Sequence, residues 1–272
     1  MNHSKDIRLI ALDLDGTLTN DEKVITPRTY DALMAAQRRG IKVCLASGRP
    51  PYGMQPLAEQ LRLSEYGGIV IAYNGGYVYD CQTGEVLREV FLNESMLSRL
   101  YSFQVLSGMT LMTYHGDKIY TEHPDDEFVG VSVRNNKMTA VGVENFVRDI
   151  PRPVNKCLMV GSPDILPQWE QKMQEAFRDE MHILRSTPYF IELLPLGIDK
   201  APALLSIAAR YDFKTDNIIS FGDSHNDISM LEVSGIGVAM ANADDDVKAV
   251  ADIVTLSNNN DGVAHIIEQL CL

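Results

Sequence analysis

Ile10-Ala11-Leu12-Asp13-Leu14-Asp15-Gly16-Thr17-Leu18-Thr19 joins an apolar run to two closely spaced aspartates and a glycine. The apolar run Leu9 to Leu12 reads as a buried strand, because a strand covered on both faces shows no polar alternation. It stops at an aspartate, and a second aspartate follows two residues later. In open α/β sheets, ligands bind in the crevice beyond the carboxyl ends of the strands. Asp13 is expected at such an end, with Asp15 in the turn that Gly16 allows to bend sharply. Two carboxylates so close repel each other unless a cation or a shared proton relieves them. A hard divalent metal takes oxygen ligands of this kind and leaves room for a phosphate. An acidic, solvated turn after a strand is the plainer alternative. An EF-hand loop fits poorly, since the glycine comes too early and no glutamate closes the loop.

The rest of the chain favours the first reading, because three further polar points follow sheet-like segments. Thr26-Pro27 opens a helix as N-cap and first helical residue, and Gly40 closes it; Tyr30, Leu33, Met34 and Gln37 share its inner face. Ile41 to Ala46 is a second strand, ending at Ser47-Gly48-Arg49 before a proline-initiated helix to about Leu63. Ser47 at a strand end and beside a helix start can hold phosphate oxygens, or can be an ordinary N-cap serine. Ile69 to Tyr73 is a third strand, ending at Asn74-Gly75-Gly76, which completes a β-α-β-α-β unit of a doubly wound sheet.

The rhythm then changes. Tyr77–Asp80 and Glu85–Arg88 form a hairpin pattern, and from there to about Leu193 short strands and helices mix as in an α+β domain. Asn93 caps a helix to about Leu106, and a hairpin joins Thr110–Tyr114 to Lys118–Thr121. Pro124 to Asn136 is polar and weakly periodic, with no element assigned. Lys156–Val160 is a strand, Pro163–Asp179 a helix with Ile165, Leu166, Trp169 and Met173 inward, and His182–Arg185 and Tyr189–Leu193 are strands. Pro195-Leu196-Gly197 returns the chain to the parallel pattern. Asp199 caps the next helix, with Lys200 in its first turn, where a lysine opposes the helix dipole. Its removal is therefore not expected to lower stability. Ile218–Phe221 ends in Gly222-Asp223-Ser224-His225-Asn226-Asp227, and the strands Ile236–Met240 and Ile253–Leu256 with a final helix complete the sheet. Asp244-Asp245-Asp246 reads as dipole complement and solvated cap, not as a metal site. The expected fold is an α/β, doubly wound, mostly parallel core (1–84 and 194–272) with an inserted α+β cap (85–193).

Composition narrows the function. The 272 residues carry a net charge of −13, which argues against a broad nucleic-acid footprint and against anionic membrane surfaces. An anionic substrate then needs a metal and a few well-placed cations. Cys44, Cys81, Cys157 and Cys271 are scattered, without a Cys-x-x-Cys pair, and read as free thiols in a reducing compartment. No apolar signal-peptide core precedes the first strand and no run is long enough to span a bilayer, so a cytoplasmic location is the expectation. Dinucleotide-binding, P-loop and serine-hydrolase fingerprints are absent from the sequence.

Taken together, Asp13-Leu14-Asp15-Gly16-Thr17, Ser47 within Ala46-Ser47-Gly48-Arg49, Lys200, and Gly222-Asp223-Ser224-His225-Asn226-Asp227 resemble the four motifs of the haloacid dehalogenase-type phosphatase superfamily. The insertion after the third strand and the Gly-Asp-x-x-Asn-Asp form look like its Cof-type (IIB) branch, covering essentially the whole chain. The resemblance implies Asp13 as nucleophile, forming an aspartyl-phosphate, and Asp15 as general acid and base. It implies Mg²⁺ on an Asp13 side-chain oxygen, the Asp15 backbone carbonyl and Asp223, with Asp227 orienting them. Ser47 and Lys200 would clamp the phosphoryl oxygens. Asn226 can also reach the phosphate, and Arg49 either serves there or pairs with a core acid. His225 is assigned no role. The implied activity is hydrolysis of small phosphorylated metabolites, sugar phosphates first, with a hexose phosphomutase or a non-catalytic phospho-ligand sensor as alternatives. A mutase must grip a second phosphate, and basic residues in the insertion are thinly spread.

Overall fold

A computed structural model describes residues 6–272. Residues 1–5, part of the opening segment read as lacking a signal-peptide core, lie outside the described residues. In chain order the strands are β1 (Leu9–Leu12), β2 (Lys42–Ala46), β3 (Ile69–Ala72), β4 (Tyr77–Asp80), β5 (Val86–Glu89), β6 (Thr110–His115) and β7 (Lys118–Thr121). They continue as β8 (Thr139–Gly142), β9 (Cys157–Val160), β10 (Met181–Thr187), β11 (Phe190–Pro195), β12 (Ile218–Gly222), β13 (Ile236–Ala239) and β14 (Ile253–Val254). One sheet runs β14-β13-β12-β1-β2-β3-β4-β5 and the other β10-β11-β9-β6-β7-β8. The chain divides into two compact units, one reaching Gly48 and resuming over Met54–Arg88 and Asp199–Leu272, the other comprising Arg49–Gly53 and Glu89–Ile198.

In the first unit, the strands from β14 to β3 pair in parallel, and only β4 turns back against β3. The uninterrupted apolar run of β1 has a direct cause. Leu9 and Ala11 pack on one face with Ala203, Leu204, Ile207 and Ala208 of the helix Lys200–Arg210. Ile10 and Leu12 pack on the other with Leu33 and Ala36 of the helix Pro27–Arg38 and Val263 and Ile267 of the helix Gly262–Leu270. Each large side chain buried this way contributes about 1.5–3 kcal/mol. The helix Pro27–Arg38 starts where its sequence says, with Thr26 accepting from the Thr29 amide at 3.3 Å and proline in the first turn. Register sets Leu12 beside Leu45 and Phe221, so the chain beyond β1, β2 and β12 emerges along one edge of the sheet.

The second unit packs Leu97, Leu100, Leu111, Phe146, Met159, Leu166, Met173, Phe177, Ile191 and Leu193 into its own core. Trp169 and Ile165 lie partly buried against it. Several elements depart from the sequence reading. The polar segment Pro124–Asn136 contains a helix, Glu127–Asn136, because Asp126 caps it, accepting from the amides of Phe128 (2.8 Å) and Val129 (3.4 Å). Its buried positions Val129, Ser132 and Asn136 follow helical spacing although two of them are polar, which hides the period from a hydrophobicity count. β8 has no reading in the sequence: it is a short, half-exposed edge strand, parallel to β7. The helix read over 163–179 is confined to Leu166–Ala176. All four cysteines are free, and no helix among the described residues is long and apolar enough to cross a membrane.

Candidate active site

The polar residues collect at the carboxyl edge of the parallel sheet in the first unit. Asp13 follows β1, its amide donating to the Phe221 carbonyl (3.1 Å), and its side chain is buried. Ser47 follows β2, its amide donating to the Ile71 carbonyl (2.9 Å). Asp223 follows β12. Backbone pairing therefore fixes three strand ends before any side-chain contact is made.

Lys200 is the centre of the arrangement. It is fully buried, and its Nζ donates to Asp13 Oδ1 at 2.7 Å and Asp227 Oδ1 at 2.6 Å. The expectation that removing Lys200 leaves stability unchanged does not hold: two carboxylates face the ammonium, so charge pairing outweighs the helix dipole. Asp199 is corrected too. It sits at the N-cap with extended backbone but makes no capping bond, because its carboxylate accepts instead from the Ser229 hydroxyl. Asp227 is fully engaged, its second oxygen accepting from the amides of Asp223 and Ser224, each at 3.0 Å. That leaves Asp13 and Asp223 as the carboxylates that can turn oxygens outward.

Asp15 reaches a different partner: its Oδ1 lies 2.9 Å from Lys23 Nζ, and both side chains are partly exposed. Asn226 donates to Asn74 Oδ1 at 3.0 Å. Arg49 falls in the other unit, where its guanidinium approaches the Asn135 carbonyl at 3.4 Å. His225 pairs with Asp246 (2.9 Å), and with Asp244 they form an exposed group. Asp244 makes no side-chain cap, and the helix Asp245–Val250 takes Asp245 and Asp246 into its first turn.

Several residues have no role in the sequence reading yet shape the site. Thr17 donates to Asp223 Oδ1 at 2.7 Å, tying the turn after β1 to the turn after β12. The hydroxyl just beyond Asp-x-Asp-Gly was the available signal. Asn242 donates to the Gly16 carbonyl (2.8 Å) and accepts from the Asn258 amide (3.0 Å). Only glycine fits at position 16, because its φ is +89° and a Cβ there would lie 2.3 Å from Asp223 Oδ2.

Charge at this edge is unbalanced. Asp13, Asp223 and Asp227 can bring carboxylate oxygens within 4.8 Å of one another, against one ammonium, leaving a formal excess of two negative charges. Burial pushes the Asp13 carboxyl well above its ordinary range, opposed by Lys200 and reinforced by Asp227 and Asp223. Burial likewise raises Asp223 to about 6, opposed by the Thr17 hydrogen bond. Burial alone would lower Lys200, but Asp13 and Asp227 outweigh it and the net shift is upward. A hard divalent cation on Asp13 and Asp223 matches both the donor type and the missing charge.

A sequence model of the haloacid dehalogenase-like hydrolases matches residues 10–267. The chain belongs to that family. Among curated haloacid dehalogenase-like relatives, 5-amino-6-(5-phospho-D-ribitylamino)uracil phosphatase YcsE of Bacillus subtilis (strain 168) is 30% identical over 268 residues, spanning 98% of this chain and 97% of that one. Phosphatase YwpJ of the same organism is 27% identical over 288 residues, spanning 97% and 100%. A haloacid dehalogenase-like hydrolase from Bacteroides thetaiotaomicron has a similar structure, with TM-score 0.94 and 41% identity over 97% of this chain and 99% of that one. The subclass IIB sugar phosphatase BT4131 matches with TM-score 0.82 and 26% identity, over 96% and 98%. This haloacid dehalogenase-like chain is a phosphatase, with the α/β architecture of its solved neighbours.

Proposed function

We propose that the protein is a Mg²⁺-dependent phosphatase of small sugar or polyol phosphates, acting through a phosphoryl group carried on Asp13. The observation that carries the reading is the buried Asp13–Lys200–Asp227 chain beside Asp223 at the end of the parallel sheet. An Asp13 oxygen attacks phosphorus, the bond to the leaving oxygen breaks, and Asp15 donates the proton that the leaving alcohol takes. Water then attacks the acyl-phosphate, losing its proton to Asp15, which releases inorganic phosphate and restores both carboxyls. Lys200 and Ser47 hold the phosphoryl oxygens, and Asn226 reaches the same group. Asp13 and Asp223, with the Asp15 backbone carbonyl, would hold Mg²⁺, which supplies positive charge to the phosphoryl oxygens. Asp15 meets the exposed Lys23 rather than the buried Lys200, so the two aspartates work in unlike surroundings.

Two similar proteins bear on the substrate, one named for a phosphoribityl compound and one a sugar phosphatase. In both, the phosphate sits on a polyhydroxylated alcohol. Several cations of the inserted unit are paired with acids, as in Arg99–Glu180, Arg148–Asp149 and the buried Lys156–Glu192, which supports water over a second phosphate ester as acceptor. A screen of phosphorylated metabolites for phosphate release tests this. Sugar and polyol phosphates should lead the ranking with stoichiometric inorganic phosphate. Hexose 1-phosphate formed from hexose 6-phosphate faster than phosphate would overturn the hydrolytic reading, and no release from any ester would leave only a sensor.

A pH prediction follows from Asp223. Its folded-state value, about 6, exceeds the ordinary 3.8, so its protonated form favours the fold and this contribution is lost as pH rises from about 4 through 6. Above that range the ionised carboxylate gains a cation. Adding Mg²⁺ should therefore raise the melting temperature more at pH 7.5 than at pH 5. A shift of equal size at both would remove Asp223 from the metal site.

A further inference from the structure

We propose that Asn74 is a positioning residue for phosphoryl transfer, holding the Ser47 turn and the Asn226 turn in fixed relation. The observation is a strained, buried turn directly after β3. Tyr73 (φ +51°) and Asn74 (φ +55°) are consecutive non-glycine residues in the left-handed region, followed by Gly75 at φ +103°. Tyr73 is 4% exposed and Asn74 6%. Such backbone persists only where its surroundings over-determine it, and it gathers at functional sites.

The surroundings here are the loops of the site. The Asn74 amide donates to the Ser47 carbonyl (2.9 Å) while the Ser47 amide donates to Ile71 (2.9 Å), so Ser47 is gripped from both sides of the turn. Asn74 Oδ1 accepts from Asn226 Nδ2. Gly48 lets the Asn74 amide group come close, since a Cβ at Gly48 would stand 3.2 Å from Asn74 Nδ2. Gly75 lies against the residue before Lys200: a Cβ there would meet the Asp199 carbonyl oxygen at 2.3 Å. One turn thus touches the segments carrying Ser47, Asn226 and Lys200. Glycine would satisfy the backbone at position 74 more readily than any other residue, but only a side-chain acceptor holds Asn226. Asparagine tolerates the left-handed region and supplies that acceptor without adding negative charge where a phosphoryl group binds.

This role rests on the reading that Ser47 and Asn226 hold the phosphoryl oxygens. The test compares Asn74→Gly, Ser47→Ala, Asn226→Ala and the double variant Asn74→Gly/Asn226→Ala, by melting temperature and by separate kcat and KM. Asn74→Gly keeps the backbone and should melt within a few degrees of the parent. Its kcat should fall by about 10- to 100-fold with a smaller change in KM, as expected for misplaced groups. The double variant should be little worse than the poorer single one, because the link is already broken. Parental kcat in Asn74→Gly, with Ser47→Ala and Asn226→Ala both impaired, would overturn the role of Asn74 alone. Parental kinetics in all three single variants would remove the phosphoryl-holding reading, and this role with it. A large fall in melting temperature with unchanged kcat per folded molecule would make Asn74 merely structural.

Discussion

Asp13→Asn should lower turnover by on the order of 10³-fold or more while the protein still folds. The amide matches the carboxylate in shape but cannot attack phosphorus as an anion, so the covalent step is lost rather than slowed by misplacement. The fold should survive because Lys200 keeps its bond to Asp227 at 2.6 Å, leaving the buried ammonium paired. The substitution also removes one of the crowded negative charges that burial disfavours. Circular dichroism and thermal melting should match the parent within a few degrees, with phosphate release near background. A tenth of parental activity in pure Asp13→Asn would contradict the nucleophilic role.

The second large effect is on stability. Lys200→Met keeps most of the side-chain volume but removes the cation between Asp13 and Asp227, leaving two buried carboxylates uncompensated. Breaking a buried ion pair from one side typically costs about 3–5 kcal/mol. Denaturant unfolding should show a loss of that order, together with loss of activity. Burial already holds the Asp13 carboxyl above its ordinary range against the opposing Lys200 charge, and loss of the ammonium raises it further, so the protonated carboxyl favours the fold and stability falls as pH increases. The deficit relative to the parent should therefore be smaller at pH 5 than at pH 8. Unchanged stability with normal kinetics would contradict both the charge-pairing and the phosphoryl-holding roles of Lys200.

Lys200 also shows where the sequence stops being informative. A lysine in the first turn of a helix reads locally as a dipole conflict, and only the family resemblance puts it in one site with Asp13, 187 positions away. The strand ends were legible because apolar runs stop abruptly at Asp13, Ser47 and Asp223, and parallel pairing then brings those stops together. Side-chain links between loops were not. Thr17 on Asp223 and the Asn226–Asn74 bond depend on register and on left-handed backbone that begins already at Tyr73, which no local propensity announces. The helix Glu127–Asn136 was hidden by its own composition, since its inner face includes Ser132 and Asn136 and its start depends on a single capping bond set from Asp126.

The most direct measurement is to trap the phosphoryl group on the protein. Asp15→Asn should slow the water step, because no base remains to take its proton, so the aspartyl-phosphate should accumulate with a substrate whose leaving group needs no protonation. The enzyme is mixed with p-nitrophenyl phosphate and Mg²⁺, quenched in acid within one turnover, digested and weighed by mass spectrometry. One phosphoryl mass is expected on the peptide carrying Asp13, and none when Asp13→Asn is added to the variant. A phosphoryl group found on another residue, or an unmodified protein during steady release of p-nitrophenol, would contradict covalent transfer through Asp13.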